Sequence, residues 1–204
     1  SGEKYFDFQK LIPMPAELEV EDGSRTEQRI IYFLTERCTI QVRDLDQRKS
    51  DLVRKLVSND FAKMDWPEEV FNRTLNWMSG ATDEERDNAY EGGRQYISNY
   101  ETHGFTTWYG WCRHNWGTKW NACETQIIDS DTIVFDTAWS NPGPIIRKLG
   151  ELYPDRRIEH WWADEDVGYN TGHRVVKNGV EQVECYDGGL EGDKLYEKCW
   201  CLVD

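Results

Sequence analysis

No run of apolar residues in this sequence approaches the eighteen or so needed to cross a bilayer, and no stretch has the layout of a signal peptide. The chain opens Ser1-Gly2 without Met, in the manner of a processed or cloned end, so the expectation is a soluble protein of the cytoplasm. Basic residues are scarce: 24 Lys and Arg stand against 38 Asp and Glu, a formal net charge of −14. Phosphate repulsion then opposes nonspecific binding to free nucleic acid. Six cysteines (Cys38, Cys112, Cys123, Cys185, Cys199, Cys201) are too few and too scattered for a disulfide-dense mini-protein. Cys199-Trp200-Cys201 is a C-x-C pair that Cys185 or Cys123 could extend toward a zinc site. No second close pair completes it, so free buried thiols in a reducing cytosol are expected, with no metal and no cofactor. A Gly-rich phosphate loop, a Gly-x-Ser-x-Gly elbow and a His-Glu-x-x-His pair are all missing, and His103, His160 and His173 share no spacing pattern. Internal repeats, low-complexity tracts and an obvious flexible linker are missing too. No residue is assigned as catalytic.

Aromatic residues are plentiful. They make up 13% of the 204 residues, ten of them Trp, which argues against disorder despite a charged fraction of 30%. The densest stretch is Thr106–Ala122, where Trp108, Tyr109, Trp111, Trp116 and Trp120 are interrupted by Gly110 and Gly117. So many large rings must bury much surface, and each indole N–H needs a partner. The first reading is a helix-to-strand corner plugging a mixed core, because aromatic clusters are more often core than site. The rival reading is a ligand pocket of Trp108, Arg113, His114, Trp116, Lys119 and Trp120, with Trp139 and the Trp161-Trp162 pair as an opposite wall.

Taken in order, Tyr5–Leu11 alternates apolar and polar residues and predicts a short strand or extended entry, stopped by Pro13 and Pro15. Arg29–Leu34 reads equally as strand or as part of a helix. Leu52, Val53, Leu56, Val57 and Phe61 fall at helical spacing, and Trp66-Pro67 ends that helix. A second helix carries Val70, Phe71, Leu75 and Met78. Thr82-Asp-Glu-Glu85 matches a capping box that opens a third, closed by His103-Gly104. Residues 46–103 therefore read as a helical subdomain inserted in one domain spanning 1–204. Beyond the tryptophans the period changes. Strands are predicted at 125–128 and 132–139, a helix from Asn141-Pro-Gly-Pro144 to before Pro154, and a strand at 157–163. Residues 168–176 and 180–186 flank Asn178-Gly179, the strongest hairpin signal in the chain. Residues 190–202 read as helix or strand. The order points to an α+β fold, an antiparallel sheet with helices on one face.

Three segments carry a family resemblance: Phe6-Asp-Phe-Gln-Lys-Leu-Ile-Pro-Met-Pro15, Trp108–Ala122 with its Trp-Gly-Thr-Lys-Trp core, and Phe135-Asp-Thr-Ala-Trp-Ser-Asn-Pro-Gly-Pro144. In that order they resemble the YubB-like proteins of phages and conjugative plasmids. The resemblance implies a ferredoxin-like domain, meaning the split β-α-β fold and not an iron–sulfur protein. It covers residues 5–15 and 106–176 and brings no catalytic residues. Family members usually have a strand ahead of the Phe-Asp-Phe segment. Here either the sheet lacks it, or Ile30–Leu34 or the C-terminal segment replaces it.

The acidic balance and this genetic context lead to one functional expectation. It is a non-enzymatic accessory protein that binds a host or phage protein complex through an acidic surface, plausibly inhibiting a host defence or nucleic-acid-handling complex. Asp83, Glu84, Glu85, Asp87 and Glu91 are the surface residues named for it. Carboxylates at Asp83–Glu85, Asp129/Asp131 and Asp164–Asp166 could each hold a divalent ion; helix N-terminal electrostatics explain the first and a turn the second, while the third precedes Gly168 at an expected hairpin. Cys112 and His114, two residues apart on a helix, point in different directions and make a poor nucleophile and base.

Overall fold

Thr82 shows how closely the local signals translate. The computed structural model describes residues 6–57 and 68–200, so the expectations at Tyr5, Phe61, Trp66-Pro67, Cys201 and Leu202 lie outside the described residues. Within them, the Thr82 hydroxyl accepts from the Glu85 N–H while the Glu85 carboxylate accepts from the Thr82 N–H. This reciprocal cap opens α4 (Asp83–His103), and Gly104, at φ 78°, closes it in the left-handed conformation.

The described chain divides into two compact units, Pro15–Gly110 and Ser1–Met14 with Trp111–Asp204. The expected insert ran from 46 to 103; the helical unit also takes in α1 (Thr26–Leu34), resolving the ambiguous Arg29–Leu34 run as helix. Asp46 caps α2 (Gln47–Leu56) by accepting from the Lys49 N–H, and α3 spans Glu68–Ser79. Ile30, Ile31, Leu34, Val53, Val70, Phe71, Tyr96 and Ile97 form the core of this unit. α1 and α4 meet backbone to backbone. A Cβ on Gly93 would sit 2.1 Å from the Arg29 carbonyl oxygen, so only glycine permits the crossing. Two buried polar side chains find partners: Tyr96 donates to the Glu21 carbonyl, and Asn99 to the carbonyls of Glu17 and Thr106.

In the other unit the described part of Tyr5–Leu11, expected as a short strand or extended entry, holds a 3-10 turn at Phe8–Lys10. The Asp7 carboxylate accepts from the Gln9 N–H and so offers the backbone a turn in place of a ladder. α5 (Trp108–Asn115), through which the division passes, leads into the hairpin of β1 (Cys123–Ile127) and β2 (Ile133–Asp136), joined at Asp129–Asp131 as the sequence predicts. Then follow α6 (Gly143–Leu152), β3 (Ile158–Trp162), β4 (Thr171–Lys177), β5 (Val180–Tyr186) and α7 (Gly189–Trp200). Asn178 and Gly179 both take positive φ, 51° and 74°, the type I′ signature that the Asn-Gly pair predicts.

β3, β4 and β5 form one antiparallel sheet, and β1–β2 a separate ladder among the described residues. Pairing His160 with Arg174 and Trp162 with Gly172 puts these on one face, and pairing Trp161 with His173 puts those on the other. α6 meets the first face at glycine: a Cβ on Gly150 would fall 2.3 Å from Val176, and one on Gly143 2.8 Å from the Arg174 guanidinium. Lys198 of α7 reaches the second, its Nζ 3.5 Å from the Trp161 ring centroid. Neither Ile30–Leu34 nor the described C-terminal segment supplies a strand, since both are helix.

Candidate functional site

The five acidic residues named from the sequence lie exposed over the first nine residues of α4, so the helix does present them outward. They are not a bare field of charge. Asp87 pairs with Arg37 at 2.6 Å, Glu91 with Arg94 at 2.7 Å and Asp83 with Arg86 at 3.4 Å. Glu85 is held by the cap, and these hydrogen bonds from Thr82 keep its carboxyl below its ordinary pKa. Exposed pairs of this kind contribute about 0–1 kcal/mol, so they fix carboxylate positions yet exchange readily for a partner's cations.

Arg37 is the contact that the sequence reading missed. Glu36, Arg37 and Cys38 take φ of 51°, 64° and 61°, three consecutive non-glycine residues in the left-handed region. Each costs about 1–2 kcal/mol, so the surroundings must hold them. Thr35, fully buried, does much of this: its hydroxyl donates to the Ile31 carbonyl at 2.6 Å and accepts from the Cys38 N–H. The Arg37 N–H reaches the Tyr32 carbonyl at 2.8 Å. The turn holds the Arg37 guanidinium over Tyr90, 5.2 Å from the ring centroid, and against Asp87. A cleft opens on either side, and Arg37 lines both. One, of about 420 Å³, also has Phe33, Lys49 and Tyr90 in its wall; the other, of about 490 Å³, has Cys38, Met78 and Asp83. Burial pushes the Cys38 thiol above its usual pKa, which leaves it a packing group more than a nucleophile.

The tryptophan stretch separates into two halves. Trp111 and Trp116 are buried, edge to face with ring centroids 5.6 Å apart, and Phe8 packs on Trp116. The Trp116 indole N–H donates to the Ile12 carbonyl at 2.8 Å. Trp108 is half-buried against Tyr109, and Arg113 and His114 are exposed on α5. Lys119 and Trp120 instead lie at the surface, with Trp139 beside them: Lys119 Nζ is 4.5 Å from the Trp120 centroid and 4.9 Å from that of Trp139. Of the residues of the expected pocket, Trp116 is therefore buried in the core while Lys119 and Trp120 lie outside it. Nor do Trp161 and Trp162 form a wall together, because neighbouring strand residues point to opposite faces.

Cys112 is buried with its sulfur 3.7 Å from that of Met14, and burial pushes its pKa up to about 11, so no thiolate is available beside His114. Cys199 is likewise pushed up to about 11 by burial. Among the described residues, no group of three or more His, Cys, Asp or Glu is placed to hold a metal ion. Both sheet histidines are stacked on indoles: His160 on Trp162, and His173 on Trp161 with an interplanar angle of 4°. Burial holds the pKa of His160 down to about 3, with the Arg174 guanidinium adding to the effect, so this imidazole stays neutral. It sits 3.4 Å from Arg174, whose charge is answered by Glu181 at 2.8 Å. Burial also lowers the pKa of His173, which lies 3.2 Å from Glu159. These networks fix the sheet.

Helices combined with antiparallel strands define an α+β protein, consistent with a ferredoxin-like domain. Residues 115–197 match the family described as the ferredoxin-like domain in Api92-like protein, a span from the end of α5 into α7. Neither the curated proteins nor the solved structures contain a match to this chain. Among the described residues, no helix is long and apolar enough to cross a membrane.

Proposed function

We propose that this protein is a non-enzymatic accessory protein of a phage or plasmid, acting in the cytoplasm of a bacterial host, that binds a macromolecular partner through the acidic face of α4. The observation that carries the reading is the coupling of Asp87 to Arg37, which ties the acidic helix to a strained turn flanked by two clefts. A turn of three left-handed residues is stabilised by more contacts than a simple loop needs, and such strain concentrates at binding and switch sites. The acids around it are positioned but weakly paired, which suits docking onto a basic surface. The Trp-Gly-Thr-Lys-Trp resemblance supports the mobile-element context. In its sharper form, the partner is a host defence or nucleic-acid-handling complex whose basic groove the acidic face occupies.

Charge reversal at Asp83, Glu84, Asp87 and Glu91 tests this, with Glu85 left to keep its cap. Wild-type protein should capture a partner from host lysate in a salt-sensitive manner, and the reversed variant should lose it. Retained, salt-insensitive capture by a folded variant would overturn the acidic-face reading. Retained capture without inhibition of the recovered complex would overturn only the sharper form.

A further inference from the structure

The surface half of the tryptophan stretch holds an ammonium between two indoles. Trp139 is 76% exposed and Trp120 46%. Trp139 sits at φ 62°, a conformation costly for a residue of its size, and its ring gains little burial in return. Hydrogen bonds between the two loops hold this arrangement: the fully buried Thr118 hydroxyl donates to the Ala138 carbonyl at 3.0 Å, and the Ser140 hydroxyl to the Gly117 carbonyl at 2.7 Å. The Thr137 hydroxyl closes the turn by donating to the Ser140 carbonyl. Within this frame Lys119 Nζ is nearly equidistant from the rings, at 4.5 and 4.9 Å.

Lysine ammonium groups elsewhere in the chain stand 3.5 Å from the Trp161 centroid and 5.2 Å from that of Tyr100; Lys119 falls between these distances while facing two rings at once. Indole faces bind cations through the negative ring quadrupole, and quaternary ammonium groups are the ligands that paired aromatic faces recognise best. We infer that Trp120 and Trp139 form a recognition site for a quaternary methylammonium group, with Lys119 as the resident cation that such a ligand displaces. The Lys119 stem is long enough to swing toward solvent and leave the gap open. This site is independent of the acidic face of α4. Its ligand chemistry is shared by a choline headgroup and a trimethylated lysine.

Titration of the protein with choline, followed by the indole N–H signals of Trp120 and Trp139 in NMR spectra, tests the assignment. Saturable shifts at these two signals are expected, with Trp111 and Trp116 unmoved. Lys119→Ala, which removes the competing cation, should tighten binding about threefold, and Trp139→Ala should weaken it about fivefold. The unmoved Trp111 and Trp116 signals report that each variant remains folded. Trimethyl-lysine amide binding more tightly than choline identifies a modified side chain as the natural ligand; the reverse order identifies a headgroup. The inference is overturned if 3,3-dimethylbutan-1-ol, the uncharged counterpart of choline, binds equally well. It is overturned too if Lys119→Ala shows no response, or if Trp139→Ala binds as wild type does.

Discussion

Adjacent glycines in α4 should respond to the same substitution with opposite signs. Gly92 and Gly93 are about 100° apart around the helix, and only Gly93 meets the backbone of α1, whereas Gly92 meets the Arg29 side chain. A methyl group there would fall 2.1 Å from the Arg29 carbonyl oxygen and 2.6 Å from the Phe33 Cβ. The first of these is main chain and cannot rotate away, so α1 must move outward by about 1 Å to restore van der Waals distance. Ile30, Ile31, Tyr96 and Ile97 share that interface and loosen with it. Overpacking of this kind costs about 1–3 kcal/mol, and an immovable neighbour places it at the upper end. Alanine returns about 1 kcal/mol of helix propensity, leaving a net loss of about 2 kcal/mol for Gly93→Ala. At Gly92 the nearest atom is Arg29 Cδ at 3.1 Å, part of a flexible side chain. Propensity then dominates, and Gly92→Ala should be neutral or up to about 1 kcal/mol more stable.

Urea unfolding followed by circular dichroism separates the two. With a slope of about 1–3 kcal/mol/M, a difference of about 2–3 kcal/mol puts the midpoints at least about 0.7 M apart. Equal midpoints, or a Gly93→Ala protein as stable as wild type, would refute the backbone-contact account of how α1 meets α4.

Trp116→Ala should cost about 3–5 kcal/mol, since it empties a buried ring site and leaves the Ile12 carbonyl without its indole donor; thermal unfolding checks this, and a folded variant of near-normal stability would contradict a scaffold role. His160 should show no titration between pH 5 and 8 in NMR spectra, because its folded pKa is about 3 against an ordinary 6.5. Below pH 6.5 the unfolded chain takes up a proton that the folded one refuses. The contribution of His160 is therefore present above that pH and is lost as pH falls from 6.5 toward 3, at up to about 1.4 kcal/mol per pH unit. His160→Phe should flatten that dependence in denaturant midpoints measured at each pH, and a titration near 6.5 would show that the imidazole is not sealed.

Elements with a chemical stop and start were legible from residues alone. The capping box at Thr82, the left-handed Gly104 and the Asn178-Gly179 turn each rest on interactions within four residues, so no tertiary context was needed. The N-terminal segment failed for the opposite reason. Phe6 and Phe8 alternate with polar residues as in a strand, but their rings serve a cluster with Phe135 and Trp116 that is distant in sequence. Asp7 donates nothing to a ladder; it accepts from Gln9 and from the Asn121 amide. The left-handed turn at Glu36–Cys38 carried no signal at all, because none of its three residues favours positive φ. It exists because Thr35 is buried and bonded at both ends of it, a fact set by α1 packing.

The tryptophan stretch shows why residue type identified the place but not the division of labour within it. Counting indoles treats Trp111, Trp116 and Trp120 as equivalent, and the alternatives of scaffold and pocket then compete for all of them. The chain turns between the second and third. Gly117 takes φ 84°, and a Cβ there would fall 2.7 Å from Pro144 Cδ and 3.0 Å from the Asn141 carbonyl, so this turn is pressed against the start of α6. Rings before the turn are directed inward, where Phe8 and the Ile12 carbonyl receive Trp116. Rings after it are directed outward, where Lys119 meets Trp120 and, through the Thr118–Ala138 bond, the distant Trp139. Scaffold and surface are therefore not rival accounts of one cluster but successive halves of it, separated by a single backbone conformation. The acidic face of α4 follows the same logic: its composition was visible in the sequence, whereas Arg37, the residue that gives it a defined geometry, arrives from a turn that only the packed helices can hold.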